Sequence, residues 1–364
     1  AGTPLSSGFV NSDANGNGAM FYNPRGIAVR PDPAGTNADI IYVADTSNHA
    51  IRKIDHNGHV TTLAGTGSHA LRDSENDGTG AMFHSPADVV VVPDQAGTGE
   101  DIIYVADTGN NLIRKIDISK INTNEYVTIF AGSVIRHGAQ LYGSHDYADS
   151  DSDGNGAKFR DPSGVDIDSQ GNIYVADTYN HCIRKINSNG HVTTVAGTPT
   201  MSGFADSDAN GQNAKFFQPW GVAVVPNPVG TGEGIIYVAD TGNYIIRKID
   251  LFKINTSEYV TTIAGTPGDS GFANSDSLAV KFNKPHKLAV DSSHNIYCTD
   301  WVNNRIRKVT IPQPPVLKPH DIVIHPTENS AYVSLEDDHT IHKITFDSTI
   351  NNATTGTTTL IAGV

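Results

Sequence analysis

Cysteine, positive charge and long apolar runs are what this chain has least of. Of its 364 residues, 2 are cysteine and 3 are methionine. A disulfide framework needs more thiols than that. Cys182 and Cys298 fall at non-equivalent strand positions, so both read as small buried thiols. No apolar run approaches the length of a membrane-crossing helix, and membrane insertion is not expected. Lysine and arginine total 25 against 39 acidic residues, a formal charge of −14. A nucleic-acid surface needs a basic footprint, so no nucleic-acid partner is expected. Helical periodicity is missing throughout. So are a Gly-x-Ser-x-Gly elbow and a Ser-His-Asp arrangement. No nucleotide cofactor is expected.

What is present is repetition. The stretch Ile41-Tyr-Val-Ala-Asp-Thr-Ser-Asn-His-Ala-Ile-Arg-Lys-Ile54 returns at 103–116, 173–186, 236–249 and 296–309, and in worn form at 331–344. An internal repeat of this length outranks other signals. Each copy alternates apolar and polar residues on both sides of an Asp-Thr-x-Asn turn, the pattern of two strands and a tight connection. A third run follows a proline upstream, as in Gly26–Val29. A fourth lies downstream, as in Val60–Gly65. Four strands per repeat and six repeats predict an all-β chain, a six-bladed β-propeller of four-stranded blades. The blades fall near 24–65, 86–132, 162–197, 219–265, 285–310 and 319–363. All belong to one domain, 1–364. In the fifth, the usual fourth strand is replaced by Ile311-Pro-Gln-Pro-Pro315.

Tyr-Val-Ala-Asp-Thr-x-Asn-x-x-Ile-Arg-Lys-Ile, preceded by Pro-x-Gly-Val-Ala-Val and followed by Val-Thr-Thr-Leu-Ala-Gly-Thr, resembles the NHL repeat family across essentially the whole chain. The resemblance implies the propeller. For function it implies a range, from protein-binding and RNA-binding modules to extracellular sensors and a metal-dependent amidating lyase.

Comparison among the copies assigns a scaffold. Asp45, Asp107, Asp177, Asp240 and Asp300 each precede an arginine by seven residues: Arg52, Arg114, Arg184, Arg247 and Arg307. In the sixth copy both change, to Leu335 and His342. Joint loss implies that the two side chains meet across the hairpin in a charge-assisted bond.

Two kinds of connection carry candidate chemistry. The inter-blade loops hold Asp-rich segments such as Tyr147-Ala-Asp-Ser-Asp-Ser-Asp-Gly154, whose spacing resembles a calcium loop without the closing bidentate Glu. Asp149, Asp151, Asp153, Asp206 and Asp208 are the cation candidates, with self-capped turns as the plainer reading. The longest such loop, 131–159, carries His137 and His145 as candidate ligand-binding residues.

The residue after each blade-opening proline should face the central channel: Arg25, Ala87, Ser163, Trp220, His286 and His320. The Pro-His segments at His286 and His320 resemble those that supply zinc ligands in the peptidylglycine amidating lyase propeller. They make copper or zinc the expected channel metal. That lyase has three such histidines; His84 is the nearest substitute for the third. Arg25 and Trp220 are ligand-binding candidates, and Trp220 offers either a plug or a stacking platform.

The expected role is recognition of a protein, glycan or small molecule. The alternatives are a metal-dependent lyase or hydrolase, and a multivalent lectin; Phe9, Phe204 and Phe272 recur at the inter-blade clefts, but their position beside Gly fits packing under the loop better. The oligomeric state is not legible. The start at Ala1-Gly-Thr, without Met, reads as a processed mature form. An extracellular or periplasmic location is therefore expected.

Overall fold

A computed structural model describes the chain outside 1–6, 12–17, 33–37, 74–79, 95–98, 138–139, 144–146, 150–155, 207–212, 226–233, 255, 275–278, 311–318, 325–329, 336–339, 347–355 and 363–364. For 135–143 and 319–362 it describes backbone alone. The chain divides into two units, Ala1–Thr310 and Ile311–Val364.

The first unit is a succession of antiparallel blades. Blade 1 holds β1 (Ile27–Arg30), β2 (Ile40–Asp45), β3 (Ala50–Ile54) and β4 (Val60–Ala64). Blade 2 holds β5 (Asp88–Val92), β6 (Ile102–Asp107), β7 (Leu112–Asp117) and β8 (Val127–Ala131). A hairpin, β9 (Val134–His137) with β10 (Gln140–Gly143), stands between blades 2 and 3. Blade 3 holds β11 (Pro162–Ile167), β12 (Ile173–Asp177), β13 (Cys182–Ile186) and β14 (Val192–Ala196). Blade 4 holds β15 (Pro219–Val225), β16 (Ile235–Asp240), β17 (Ile245–Asp250) and β18 (Val260–Ala264). The fifth repeat forms three strands, β19 (Pro285–Val290), β20 (Ile296–Asp300) and β21 (Arg305–Val309). The second unit holds one sheet, β22 (Pro319–Ile324), β23 (Ser330–Leu335), β24 (Thr340–Phe346) and β25 (Gly356–Ala362).

Six four-stranded blades were expected; the described residues form five, with a three-stranded sheet at the fifth repeat. The sequence after β21 supplies the reason. Pro312, Pro314 and Pro315 have no amide proton to give a ladder.

The repeat is exact in register. Val43, Val105, Val175, Val238 and Cys298 pair with Arg52, Arg114, Arg184, Arg247 and Arg307. In the worn copy Val333 pairs with His342. In the four complete blades of the first unit, the ladder to the outer strand shifts register just before that arginine. Such a shift re-aims a side chain, here toward the connection that enters the same blade.

Period-two alternation splits each blade into two faces, and the core is a set of slabs between blades. In blade 2, Val89, Val91, Ile103 and Val105 pack with Tyr42, Ala44 and Ile51 of blade 1. The opposite face, Val90, Ala106 and Ile113, packs with Val165 and Val175 of blade 3. Another slab joins blades 3 and 4 through Tyr174, Val222 and Val238. Each such side chain contributes about 1.5–3 kcal/mol on burial. Phe83, Phe159 and Phe216, from the inter-blade connections, are fully buried in these slabs.

The innermost strands β1, β5, β11, β15 and β19 pack side by side in chain order. They curve far enough that Lys287 of β19 pairs with Asp88 of β5, 199 residues away.

A cationic aromatic mouth on the channel

The residues that open each innermost strand come together because glycine lets the strands nest. A Cβ on Gly164 would lie 2.4 Å from the Trp220 carbonyl oxygen. One on Gly221 would lie 2.1 Å from that of His286. No larger residue fits such an approach. It brings the side chains at the strand openings into contact.

Trp220 and His286 stack with ring centroids 4.2 Å apart and planes 19° apart. Trp301, in the turn after β20, lies 5.4 Å beyond His286. Its amide donates to the Lys284 carbonyl at 3.2 Å, which fixes that turn against the blade opening. The Arg25 guanidinium lies 5.4 Å over the Trp220 ring. The Lys284 ammonium lies 5.7 Å over Trp301. The result is a ladder of three rings with a cation at each end. Burial pulls the His286 pKa down to about 4, and the charges of Arg25 and Lys284 add to the shift. The imidazole is therefore neutral near pH 7 and offers a ring face rather than a charge.

One residue along from His286, the innermost strands are linked by charge. Lys287 donates to the Asp88 carboxylate, which also accepts from the Val165 amide at 2.9 Å. Asp166 accepts from the Val224 amide at 2.7 Å. Burial raises its pKa, and nearby Lys287 opposes that rise.

The Asp–Arg pairs form the scaffold around this mouth. The Asp45–Arg52, Asp107–Arg114, Asp177–Arg184, Asp240–Arg247 and Asp300–Arg307 separations are 2.8, 3.1, 2.8, 3.2 and 3.0 Å. The second oxygen of each Asp accepts the amide that opens its blade, at Tyr22, His84, Arg160, Phe217 and Asn283. The residue after each of those amides has φ near +50°: Asn23, Ser85, Asp161, Gln218 and Lys284. A residue before proline resists that region, so the aspartate holds strained backbone at every opening.

Two of the loop aspartates are engaged by repeat arginines. Asp149 accepts from Arg184 at 2.8 Å, and Asp206 from Arg247 at 2.7 Å. Asp151, Asp153 and Asp208 lie outside the described residues. Phe9, Phe204 and Phe272, considered as lectin platforms, cover Arg52, Arg247 and Arg307 at 5.0–5.2 Å. His320 sits on β22 in the second unit, and its side chain is outside the described residues. The same holds for the side chain of His137 on β9, and for His145 altogether. Of the channel candidates, the structure brings together Arg25, Trp220 and His286. Ala87 and Ser163 are buried small residues. His84 stands in the seam between blades 1 and 2, with its ring 5.3 Å from His69 and 5.8 Å from His49. Among the described residues, no group of three or more His, Cys, Asp or Glu is placed to hold a metal ion. Cys182 and Cys298 are both buried free thiols. Burial pushes the Cys298 thiol up to about 12.

Lys284 and Trp301 were not singled out in the sequence. The signal for Trp301 was there. Thr108, Thr178 and Thr241 each donate to the carbonyl of the next blade's opening proline, at 2.6–2.8 Å. The fifth copy replaces that threonine by Trp301, a break in the repeat at a structural position.

Four-stranded blades of one repeated register, arranged around a channel, define a β-propeller. The chain belongs to the NHL-repeat propellers: residues 3–250 match the family model described as the teneurin NHL domain. Among curated proteins it is similar to Protein SUPPRESSOR OF QUENCHING 1, chloroplastic, of Arabidopsis thaliana. The identity is 30% over 301 residues, covering 67% of this chain and 26% of that protein. It is 29% identical over 309 residues to human NHL repeat-containing protein 2, covering 79% of this chain and 39% of the relative. The chain thus spans well under half the length of either. Among solved structures, an auxiliary nutrient binding protein from Bacteroides thetaiotaomicron aligns with TM-score 0.48 and 16% identity. That alignment covers 78% of this chain and 68% of the other.

Proposed function

We propose that this propeller is a recognition module whose ligand site is the mouth formed by Arg25, Trp220, His286, Trp301 and Lys284. One observation carries the reading. The chain has 2 tryptophans, and they flank His286 at this one point. Trp301 keeps 57% of its surface exposed. Exposed tryptophan gains most from covering by a partner. A binding role asks only that the mouth present a fixed surface, and the glycine nesting and the aspartate-held openings supply that rigidity.

The test is a screen of small metabolites read by tryptophan emission and confirmed by calorimetry. Ligands that weaken about tenfold or more on Trp301→Ala, with an unchanged melting temperature, support the reading. Ligands bound equally by Trp301→Ala and Trp220→Ala would move recognition to another surface and sink it.

A further inference from the structure

Arginine in this chain is normally spent on structure. The five repeat arginines are paired with carboxylates, and Arg30 is paired with Asp101. Lys287, beside the mouth, is held by Asp88. Arg160 and Arg305 lie over Tyr179 and Phe272, and at the mouth Arg25 and Lys284 are placed in the same way. Neither has a carboxylate partner among the described residues, and the recorded contact of each charged end is with a tryptophan face. Both stand at one mouth of a molecule with net charge −14. The carboxylates nearby are engaged: Asp88 by Lys287, Asp166 by the Val224 amide, Asp300 by Arg307.

We infer that the mouth selects a small anion carrying a flat aromatic ring, with an aryl carboxylate as the simplest example. This rests on reading the mouth as a recognition site and adds the ligand's chemistry to it. The exposed face of Trp301 and the edge of the His286–Trp220 stack supply ring contact. The Arg25 guanidinium is a planar fork matched to a carboxylate. A cationic ligand meets two unpaired positive charges. A neutral ring gains the stacking alone. An anion without a ring gains the charge alone. Only the combination uses both ends of the ladder and its middle.

The experiment is a titration of the full chain with benzoate, benzamide, benzamidinium and acetate at neutral pH. It is read by tryptophan emission and by calorimetry, at low and at moderate salt. Because both tryptophans belong to the mouth, the emission change reports that place. Benzoate should bind about tenfold more tightly than benzamide, with benzamidinium and acetate weaker still. The benzoate preference should shrink with salt. Arg25→Gln/Lys284→Gln should abolish that preference while benzamide binding persists. Benzamidinium binding as well as benzoate, or benzamide matching benzoate, would overturn the anion selectivity and leave the ring site standing. Acetate matching benzoate would overturn the aromatic half. If no ring compound changes emission or gives heat, the recognition reading falls along with the inference.

Discussion

At the scale of single residues, the repeat arginine does the most. Arg184 donates to Asp177, to the Ala148 and Lys158 carbonyls and to Asp149, and lies between the rings of Tyr147 and Phe159. It therefore ties β12, β13 and the incoming connection together. Its Nε finds no acceptor among the described residues, as in Arg52, Arg114 and Arg247, while aromatic rings cover the guanidinium. Removing such a partner leaves a buried charge unpaired. Arg184→Leu should cost about 3–5 kcal/mol in urea unfolding. Asp177→Leu/Arg184→Leu should cost clearly less than the two single losses added together. Additive losses would remove the pair from the scaffold. His286 supplies a second test. Its folded pKa is about 4, below the unfolded value of about 6.5. The unfolded chain therefore takes the proton first, and stability is full above the unfolded pKa. It falls as pH drops from there toward 4. The loss is on the order of 2–3 kcal/mol by pH 4.5. His286→Phe keeps a ring in the ladder and cannot titrate, so its stability should decline less between pH 7.5 and 4.5. Parallel declines in the two proteins would contradict the shift.

At the scale of elements, the hairpins and their pairing were readable because each rests on local pattern repeated several times. The joint change at Leu335 and His342 discloses the ion pair from the sequence alone. Arg25, Trp220 and His286 were expected at the channel, but their mutual contact and the addition of Lys284 and Trp301 were not, because these join residues from different repeats. No motif marks Trp301 or Lys284. At Asp149 and Asp206 the calcium-like spacing coincides with acceptance from a buried arginine. An Asp that accepts from a buried arginine and an Asp that binds a cation carry the same short sequence. Strand nesting at the mouth gives this scale its prediction. Gly221→Ala puts a methyl against the His286 carbonyl. It should cost several kcal/mol and shift tryptophan emission. Gly171→Ala is the control, with φ +82° and open space around it; it should cost about 1–2 kcal/mol and leave emission unchanged. Equal costs would argue against close strand approach.

At the scale of the molecule, an acidic protein carries a small basic, aromatic place at the channel mouth. The repeats spend their charges in buried pairs, so the surface charge is mostly negative. The mouth escapes because the fifth copy breaks the repeat at Trp301 and because Arg25 and Lys284 have no carboxylate partner among the described residues. The measurement that tests this most directly is collisional quenching of tryptophan emission by iodide and by caesium. On an acidic surface, caesium should collect and iodide be repelled. At this mouth the order should reverse, with iodide the stronger quencher, and Arg25→Gln/Lys284→Gln should bring the two closer together. Stronger quenching by caesium in the unaltered protein would contradict a cationic mouth and, with it, the account of what the propeller is built to hold.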